Sequence, residues 1–350
     1  MNGDTPADLG REKASGKSVR PGFTAAALAV VATICAPQVA SADEGGVSFW
    51  LPGLFGSLAA VPVQPGFGLA TFGYNTSVSA DRNLTFFKGG RFVAGLDADA
   101  TLLAFVPSYA FATPVLGGQF AVSMMTVAGH NRVDVDAVLT GPRGNTISGA
   151  VGDSVTGWGD LYPMASLKWN HGVHNFMVYG TGDIPVGNYN PNRLANIGIG
   201  HGAIDGGFGY TYLDPTKGHE FSGVAGFTYN FINSDTQYKN GVDFHFDWGA
   251  SQFLSKQLLV GLVGYVYQEI GCDSGSGDRV GCFRSRVIGV GPQIGYIVPL
   301  GEWQGYVNLK GYGEFDAQNR PDGWNVWLTF AVSPAAAPPP IDRTSMKVHK

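Results

Sequence analysis

The sequence has few charges, few cysteines and no long apolar run beyond its first 42 residues. Only 14% of its 350 residues are charged and the formal net charge is −5, so it lacks the basic excess typical of nucleic-acid binding. No stretch after Asp43 approaches the ~20 apolar residues of a transmembrane helix. The 52 glycines, about twice the usual share of ~7%, disfavour a mainly helical protein because each interior glycine costs about 1 kcal/mol.

The first residues resemble an export signal. Basic residues between Arg11 and Arg20 precede an apolar run over 23–36, and the small-residue sequence Ala40-Ser41-Ala42 follows. This order predicts a signal peptide over 1–42 and a mature chain that starts near Asp43. The alternative is a membrane anchor, although the apolar run is too short to span a bilayer.

The mature chain would keep two of the three cysteines, because Cys35 leaves with the signal peptide. An even number of cysteines in an exported protein predicts a disulfide between Cys272 and Cys282. Two free thiols are the alternative. The residues between them have the composition of a loop, so the bridge would close one loop and have no catalytic role.

Period-two alternation dominates the remaining sequence. In 242–252, for example, Phe244 and Phe246 alternate with Asp243, His245 and Asp247. Successive side chains of a strand point to opposite faces, so such segments form strands with one apolar and one polar face. About twelve of them occur over 66–332, and no helical periodicity is sustained. The sequence predicts an all-β protein.

The gaps between these segments alternate between short and long, which favours a membrane barrel. Outer-membrane barrels have an even number of strands, short periplasmic turns and long external loops, whereas a soluble β-sandwich has no reason for this alternation. We therefore expect an antiparallel up-and-down barrel in the outer membrane of a Gram-negative bacterium, surrounded by lipid and inserted by the barrel-assembly machinery. The longer gaps are Ala80–Arg91, Leu139–Asp153, Pro185–Asp205, Phe231–Gly241, Gly271–Cys282 and Asp316–Gly323.

Charged residues of the strands are expected to face the lumen. A charge on the lipid face costs about 2–4 kcal/mol at the middle of the bilayer. The residues assigned to the lumen are Asp97, Asp99, Asp160, Lys168, Asp243, His245, Asp247, Lys310 and Glu314. Aromatic residues near strand ends suit the membrane interfaces, namely Trp158, Trp169, Trp303, Trp324 and Tyr229.

Two segments fall outside the barrel pattern. Residues 43–65 are apolar from Val47 onward but interrupted by proline and glycine, so we expect them to enter the lumen from the periplasmic side as a small plug or gate. The alternative is a first strand or a periplasmic turn-helix. Residues 333–350 contain three consecutive prolines and lack alternation, which predicts a disordered periplasmic tail. The candidate gate and solute contacts are Phe49, Trp50, Leu51, Leu54 and Phe55.

Sequence motifs of catalysis or of cofactor binding are lacking. There is no Gly-x-Ser-x-Gly nucleophile elbow, and the glycine-rich run 198–209 does not join a strand to a helix. His171 and His174 are better explained by a hairpin turn than by metal ligation. Asp243, His245 and Asp247 share a face that could bind a cation, but a solvated polar wall explains them better. We expect no enzymatic activity, no metal and no cofactor.

Several longer runs carry a family resemblance. The sequence resembles the outer-membrane proteins labelled "putative meta-pathway of phenol degradation" through runs that span nearly all of the mature chain. They are 46–62, 157–163, 169–175, 179–187, 198–207, 218–222, 247–255, 291–296 and 323–330. The resemblance implies a channel or transporter for small, apolar or aromatic compounds. The proline-rich tail departs from the family pattern, in which the chain stops soon after the last strand.

Two uses of the barrel remain open at this point. One is passive diffusion of a small hydrophobic or aromatic solute past the gate. The other is a structural or adhesive barrel without transport, in which the long loop Pro185–Asp205 is the working part.

Overall fold

The chain forms a closed antiparallel β-barrel. The computed structural model describes residues 48–85, 91–140, 145–278, 281–282 and 284–335. Twelve strands lie in sequence order around the barrel, and β1 pairs with β12 to close it. This confirms the prediction of a twelve-stranded, all-β, up-and-down barrel. Within the described residues, no helix has the length and apolarity to cross a membrane.

The strands differ in length, and the differences follow their position in the barrel. Strands β1 to β4 have 20–26 residues, whereas β5 to β9 have 10–12. The strands are β1 (Gly66–Thr85), β2 (Arg91–Ala110), β3 (Gln119–Thr140), β4 (Thr146–His171), β5 (His174–Asp183), β6 (Ala203–Asp214), β7 (His219–Asn230), β8 (Val242–Phe253), β9 (Leu258–Glu269), β10 (Arg286–Leu300), β11 (Trp303–Gln318) and β12 (Asp322–Pro334).

Aromatic side chains on the outer face mark the level of the membrane. Trp158 and Trp169 lie eleven positions apart on β4, which matches the ~9–11 residues of a membrane-spanning strand. Trp158 and Trp324 lie toward the ends of their strands that face the long loops, and Trp303 lies at the opposite end. All three side chains are exposed. Such rings suit the two interfaces of a bilayer, with the short turns on one side and the long loops on the other.

Three gaps predicted as long loops are mostly strand. Strands β1 and β2 occupy most of 80–91, β3 and β4 occupy most of 139–153, and β11 and β12 leave only 319–321 between them. The serine, aspartate, threonine and glycine residues of these segments resemble loop composition, although their alternation continues. Strands β1 to β4 therefore extend beyond the membrane on the long-loop side as a four-stranded sheet.

Long connections remain after β5, β7 and β9. The disulfide between Cys272 and Cys282 lies in the last of them, which confirms the predicted pairing. Backbone hydrogen bonds of 2.9 Å in both directions join Lys239 in the preceding loop to Ser274. In this loop the pKa of the Asp273 carboxyl group is raised, mainly because the group is buried. These two loops therefore pack as one external structure.

Both predicted terminal segments extend beyond the described residues. The signal peptide predicted over 1–42 lies entirely outside them, as does 336–350 of the predicted tail. Strand β12 continues to Pro334, so the first residues assigned to the tail belong to the barrel wall.

Candidate functional site: the occupied lumen

Two chain segments lie inside the barrel. The inner segment, residues 48–65, precedes β1 and enters from the short-turn side, and the inner loop, residues 184–202, joins β5 to β6 and enters from the long-loop side. Phe49 and Trp50 of the former and Ile197 and Ile199 of the latter belong to one cluster of buried apolar side chains. Trp50 is only 2% exposed. The lumen is thus filled from both ends.

The turn at Gly53 of the inner segment is held by a carboxylate and an ammonium group of the wall. Asp247 on β8 accepts the backbone N–H groups of Gly53 at 2.9 Å and of Phe55 at 3.1 Å. Lys310 on β11 donates to the carbonyl oxygens of Gly53, Leu54 (3.4 Å) and Phe55 (3.3 Å). The two charged groups thus bind the donors and the acceptors of the same peptide turn.

A second carboxylate holds the next residues of the inner segment. Glu220 on β7 accepts the N–H of Leu58 at 2.9 Å and the hydroxyl of Ser57 at 2.6 Å. Gln293 on β10 donates to the Ser57 Oγ at 2.7 Å, and the hydroxyls of Ser57 and Ser251 lie 2.8 Å apart. Burial raises the free-energy cost of any unmade hydrogen bond, so this network fixes the position of Ser57.

The end of the inner segment that precedes β1 is held by Lys168. Its Nζ donates to the carbonyl oxygens of Ala59 at 2.7 Å and of Val61 at 3.3 Å. The hydroxyl of Thr211 accepts the N–H of Ala60 at 3.0 Å. Because all three contacts reach the backbone, the wall holds this part of the segment through its peptide groups.

An aromatic and polar cluster lies against Trp50. The indole ring stacks on His245, with ring centroids 3.6 Å apart and an interplanar angle of 12°. His245 Nε2 lies 2.9 Å from Asp205 Oδ2, and Asp205 also accepts the hydroxyls of Tyr179 at 2.8 Å and Thr228 at 2.6 Å. The face of β8 that could have bound a cation thus binds protein groups through His245.

The remaining predicted lumen residues also contact protein groups. Asp243 accepts a hydrogen bond from the side chain of Asn230 at 2.9 Å. Glu314 accepts the hydroxyl of Tyr265 at 2.7 Å and the N–H of Gly323 at 3.0 Å. The structure therefore places Asp160, Lys168, Asp243, His245, Asp247, Lys310 and Glu314 inside the barrel. Leu51, Leu54 and Phe55 pack against the apolar cluster.

The inner loop is held by two aspartates of β4. Asp160 accepts the N–H groups of Gly187 at 2.7 Å and Ile199 at 2.8 Å. Arg193 donates from Nε and from Nη2 to the carboxylate of Asp153, at 3.0 and 2.7 Å. The loop is thereby tied to β4 near the external end of the barrel.

The expectation that Asp97 and Asp99 face the lumen is wrong. Both are exposed and alternate with Ala98 and Ala100; their face of β2 is that of the exposed Leu103, and the opposite face carries the fully buried Ala104. Asp97 and Asp99 lie beyond the apolar outer face, on the sheet that extends past Trp158. At this level the outer face of the sheet contacts water and not lipid. The free-energy cost of placing a charge against lipid, which was the reason for assigning these residues to the lumen, therefore does not apply.

The two sides of the lumen differ in chemistry. On the described side chains of β1, β2 and β3, the inner face carries no charged residue, because every charge among them alternates to the outer face. Its members include Phe72, Leu102, Val106, Met125 and Val127, all in or against the apolar cluster. The charged groups that hold the inner segment come from β4, β7, β8 and β11. The lumen therefore has one apolar wall and one polar wall.

Sequence reasoning missed several polar residues that hold the inner segment or the wall residues beside it. Asp205, Glu220 and Gln293 lie on inner faces of β6, β7 and β10. The alternation of Glu220 with Phe221 was a usable signal, since the aromatic ring marks the opposite, exposed face. A contact over more than 160 positions, such as Glu220 with Leu58, has no local signal in one sequence.

The described residues contain no group of three or more His, Cys, Asp or Glu residues that could hold a metal ion. His171 and His174 face each other across the β4–β5 turn at Gly172, as turn chemistry requires. The lumen thus offers aromatic and aliphatic surface on one wall and a hydrogen-bonded inner segment on the other.

Comparison with known proteins identifies the class of protein first. The computed fold is similar to the crystal structure of the COG4313 outer membrane channel from Pseudomonas putida F1, with a TM-score of 0.60, 14% identity and coverage of 78% of this chain and 97% of that one. A weaker similarity is to the transport unit of the autotransporter AIDA-I from Escherichia coli (TM-score 0.37, 10% identity, 78% and 91% coverage). The fold is therefore that of an outer-membrane β-barrel.

The family follows from the sequence itself. The family described as "Putative MetA-pathway of phenol degradation" matches residues 82–330, more than two thirds of the chain, and the chain belongs to this family. A search of the curated proteins found no match.

Proposed function

We propose that the protein is a channel in the outer membrane of a Gram-negative bacterium for passive diffusion of small apolar or aromatic compounds. The observation that carries the proposal is the inner face of β1 to β3, which is uncharged over its described side chains and lies opposite the polar wall. Apolar surface that lines a path lowers the free energy of an apolar solute along it. Insertion by the barrel-assembly machinery and contact with outer-membrane lipids belong to the same proposal.

The solute would contact the aromatic part of the inner segment. Phe49 packs against Tyr162 with ring centroids 5.8 Å apart, and Trp50 lies 6.0 Å from the ring of Tyr179. Together with Leu51, Leu54 and Phe55, these side chains make the apolar cluster continuous with the wall. An aromatic compound could replace one of these rings without leaving polar groups unsatisfied.

Passage requires the inner segment to move, because it fills the lumen in the structure described here. The wall holds its peptide groups through Asp247, Lys310, Glu220 and Lys168. Hydrogen bonds to a charged group contribute about 1.5–3 kcal/mol each, so the closed position is favoured while a partial displacement stays accessible. Flux then follows the concentration gradient and needs no energy source.

Deletion of the inner segment tests the proposal. In proteoliposomes, the shortened protein should conduct ions severalfold more than the full chain, and cells should take up aromatic compounds at a changed rate. A full-length protein in which residues 48–65 are replaced by a glycine–serine linker of the same length controls for chain length. Unchanged conductance and unchanged uptake would contradict the gate and favour a structural or adhesive barrel, whose filled lumen stays silent.

A further inference from the structure

The four-stranded sheet beyond the membrane has an apolar face turned toward the barrel axis. The cross-strand neighbours Ala80, Leu96, Val135 and Val151 form one row of it. Val78, Ala98 and Val133 form the next row, which ends on β4 at Asp153, the ion-pair partner of Arg193 in the inner loop. Val151 is 64% exposed. This surface, here called the apolar porch, continues the inner face of β1 to β4 past Trp158.

The opposite face of the same sheet is polar. Its rows pair Asp97 with Ser79 and Asp134, and Asp99 with Ser77 and Arg132. Arg132 and Asp134 form an exposed ion pair with a distance of 2.6 Å. The inner loop contacts the inward face of the sheet at Asn131 and Asp153. Farther from the membrane Val151 is exposed, and a sheet in water has no need of an apolar side, so the porch is an apolar surface that an occupant could cover.

The porch is continuous with the lumen. Val155, two residues along β4 from Asp153, packs against the buried cluster that also contains Val127, Ile197 and Phe49. A register shift between β3 and β4 near Thr126 and Ala128 changes which residues of β4 point inward. Val151 and Val155 therefore point inward on the external side of the shift, and Tyr162 points inward on the membrane side.

The inward face of β4 is interrupted by Asp153 and that of β3 by Asn131, whereas Leu96, Ala98, Ala100 and Leu102 keep the inward face of β2 apolar. Leu102 packs against the same buried cluster, so an apolar strip runs along β2 from the external end of the sheet to the cluster.

We propose that the apolar porch is a capture site for a small, uncharged apolar solute, from which the solute enters the lumen along β2. This rests on the proposed channel function and adds to it the external binding step. Two rows ~7 Å apart across four strands ~4.8 Å apart give an apolar face of roughly 200–250 Å². A stable interface between two proteins needs about 800 Å² per partner, so the area suits a small molecule better than a second copy.

Lipid chains are a poor occupant because of where the porch lies. On β3 the row of Val135 stands seven positions beyond Ala128, the residue that pairs with Trp158 at the membrane interface. At ~3.3 Å per residue this is about 20 Å along the strand. Its polar face is also the one continuous with the lipid-facing surface, so acyl chains meet Asp97 and Asp134 before they reach the porch.

Photo-crosslinking tests the proposal directly. The purified full chain in nanodiscs is illuminated with benzophenone, a small apolar aromatic ketone, and the adducts are mapped by mass spectrometry. We expect adducts on Leu96, Val135 and Val151, and the double variant Val135→Asp with Val151→Asp should reduce them at least about tenfold, because a charge on the face must lose water to admit the solute. The matched control Ser79→Asp with Ser154→Asp places two charges on the polar face and should leave them unchanged.

Uptake measurements separate this inference from the channel function. In cells, the porch variants should raise the concentration of naphthalene at half-maximal uptake about tenfold and leave the maximal rate unchanged. Should Val135→Asp with Val151→Asp fail to form the heat-modifiable barrel, Val135→Thr with Val151→Thr makes the same test with nearly equal volume and a smaller effect. Each variant is compared with the wild-type barrel at the same density in the membrane.

The outcomes are distinct. Adducts on the porch without any uptake by the wild type would support the capture site and overturn the channel. Uptake without porch adducts, or with a half-maximal concentration that the variants do not change, would overturn the capture site and leave the channel standing. Crosslinked dimers through the porch would also overturn it, in favour of a second copy as occupant.

Discussion

The part of the barrel built from β1 to β4 differs from the part built from β5 to β12 in strand length and in the chemistry of its inner face, although both follow the same alternating pattern. The first has strands of 20–26 residues and, among the described side chains of β1 to β3, an inner face without charge. In the second, several strands are only about as long as a membrane is thick, and the inner faces carry Glu220, Asp247 and Lys310. The comparison teaches that alternation defines two faces of a strand, while the surroundings at each level decide which face is polar.

The largest expected effect tests the outer faces. Leu328 is 55% exposed near the middle of β12 between the levels of Trp324 and Trp303, so Leu328→Lys should destabilise the barrel by about 2–4 kcal/mol. The matched change Ser79→Lys lies on the outer face of β1 at the level of Asp97 and should have little effect. Urea unfolding in lipid vesicles, followed by gel mobility, measures both. Equal losses of stability in the two variants would show that both positions face lipid, which would contradict the proposed difference between the two parts of the barrel.

The next effect concerns the polar wall. Lys310→Met removes the donor to three carbonyl oxygens of the inner segment and should weaken its closed position by about 1.5–3 kcal/mol. We therefore expect more frequent opening, seen as higher single-channel conductance events in planar bilayers. Arg132→Met removes a cation from the outer face of β3, where its side chain is exposed, and should leave the recordings as they are. Silent recordings from the Lys310 variant would show that the segment is held by other contacts.

A smaller effect is expected at the junction of the two parts. Asp160→Asn keeps one acceptor oxygen but replaces the other by an amide, so one of the bonds to Gly187 and Ile199 is lost. A loss of about 1 kcal/mol should raise hydrogen exchange at these two amides about fivefold. Exchange at residues of the inner segment serves as the internal control. Protection that stays at the wild-type level would assign the loop's position to its apolar side chains alone.

The smallest effect is expected from the disulfide. Cys272 and Cys282 close a short segment within one external loop, so replacing both by serine should loosen that loop while the barrel keeps its heat-dependent gel mobility. Faster proteolysis of the loop in the double variant, with the barrel intact, is the expected pattern. A loss of barrel assembly would contradict the view that the bridge acts only locally.

Much of the fold could be predicted from the sequence because a barrel strand repeats one simple pattern. The face of Asp243, His245 and Asp247 follows from their alternation with Phe244 and Phe246. The same reasoning failed at Asp97 and Asp99, because alternation does not show where a strand leaves the membrane, and beyond that level a polar outer face costs nothing. On β4, the register shift reverses which residues point inward, which no local pattern reveals.

The candidate site was only half predictable for a related reason. The apolar content of residues 43–65 pointed to a segment that avoids water, and charged inner faces were expected. What joins them is a set of hydrogen bonds between charged side chains and peptide groups, as at Asp247 with Gly53 and Phe55. Peptide groups are the same at every residue, so the sequence carries no mark of which of them a distant carboxylate will bind.

The central claim is that the inner segment must move for an apolar solute to cross. Ser57 of the segment and Ser251 of β8 have hydroxyl oxygens 2.8 Å apart, so Ser57→Cys with Ser251→Cys, in a chain whose native cysteines are serine, creates a lock that oxidation closes and a reductant opens. The measurement is naphthalene flux into proteoliposomes under the two conditions. The account predicts flux that is lost on oxidation and restored by the reductant; equal flux in both states would contradict it.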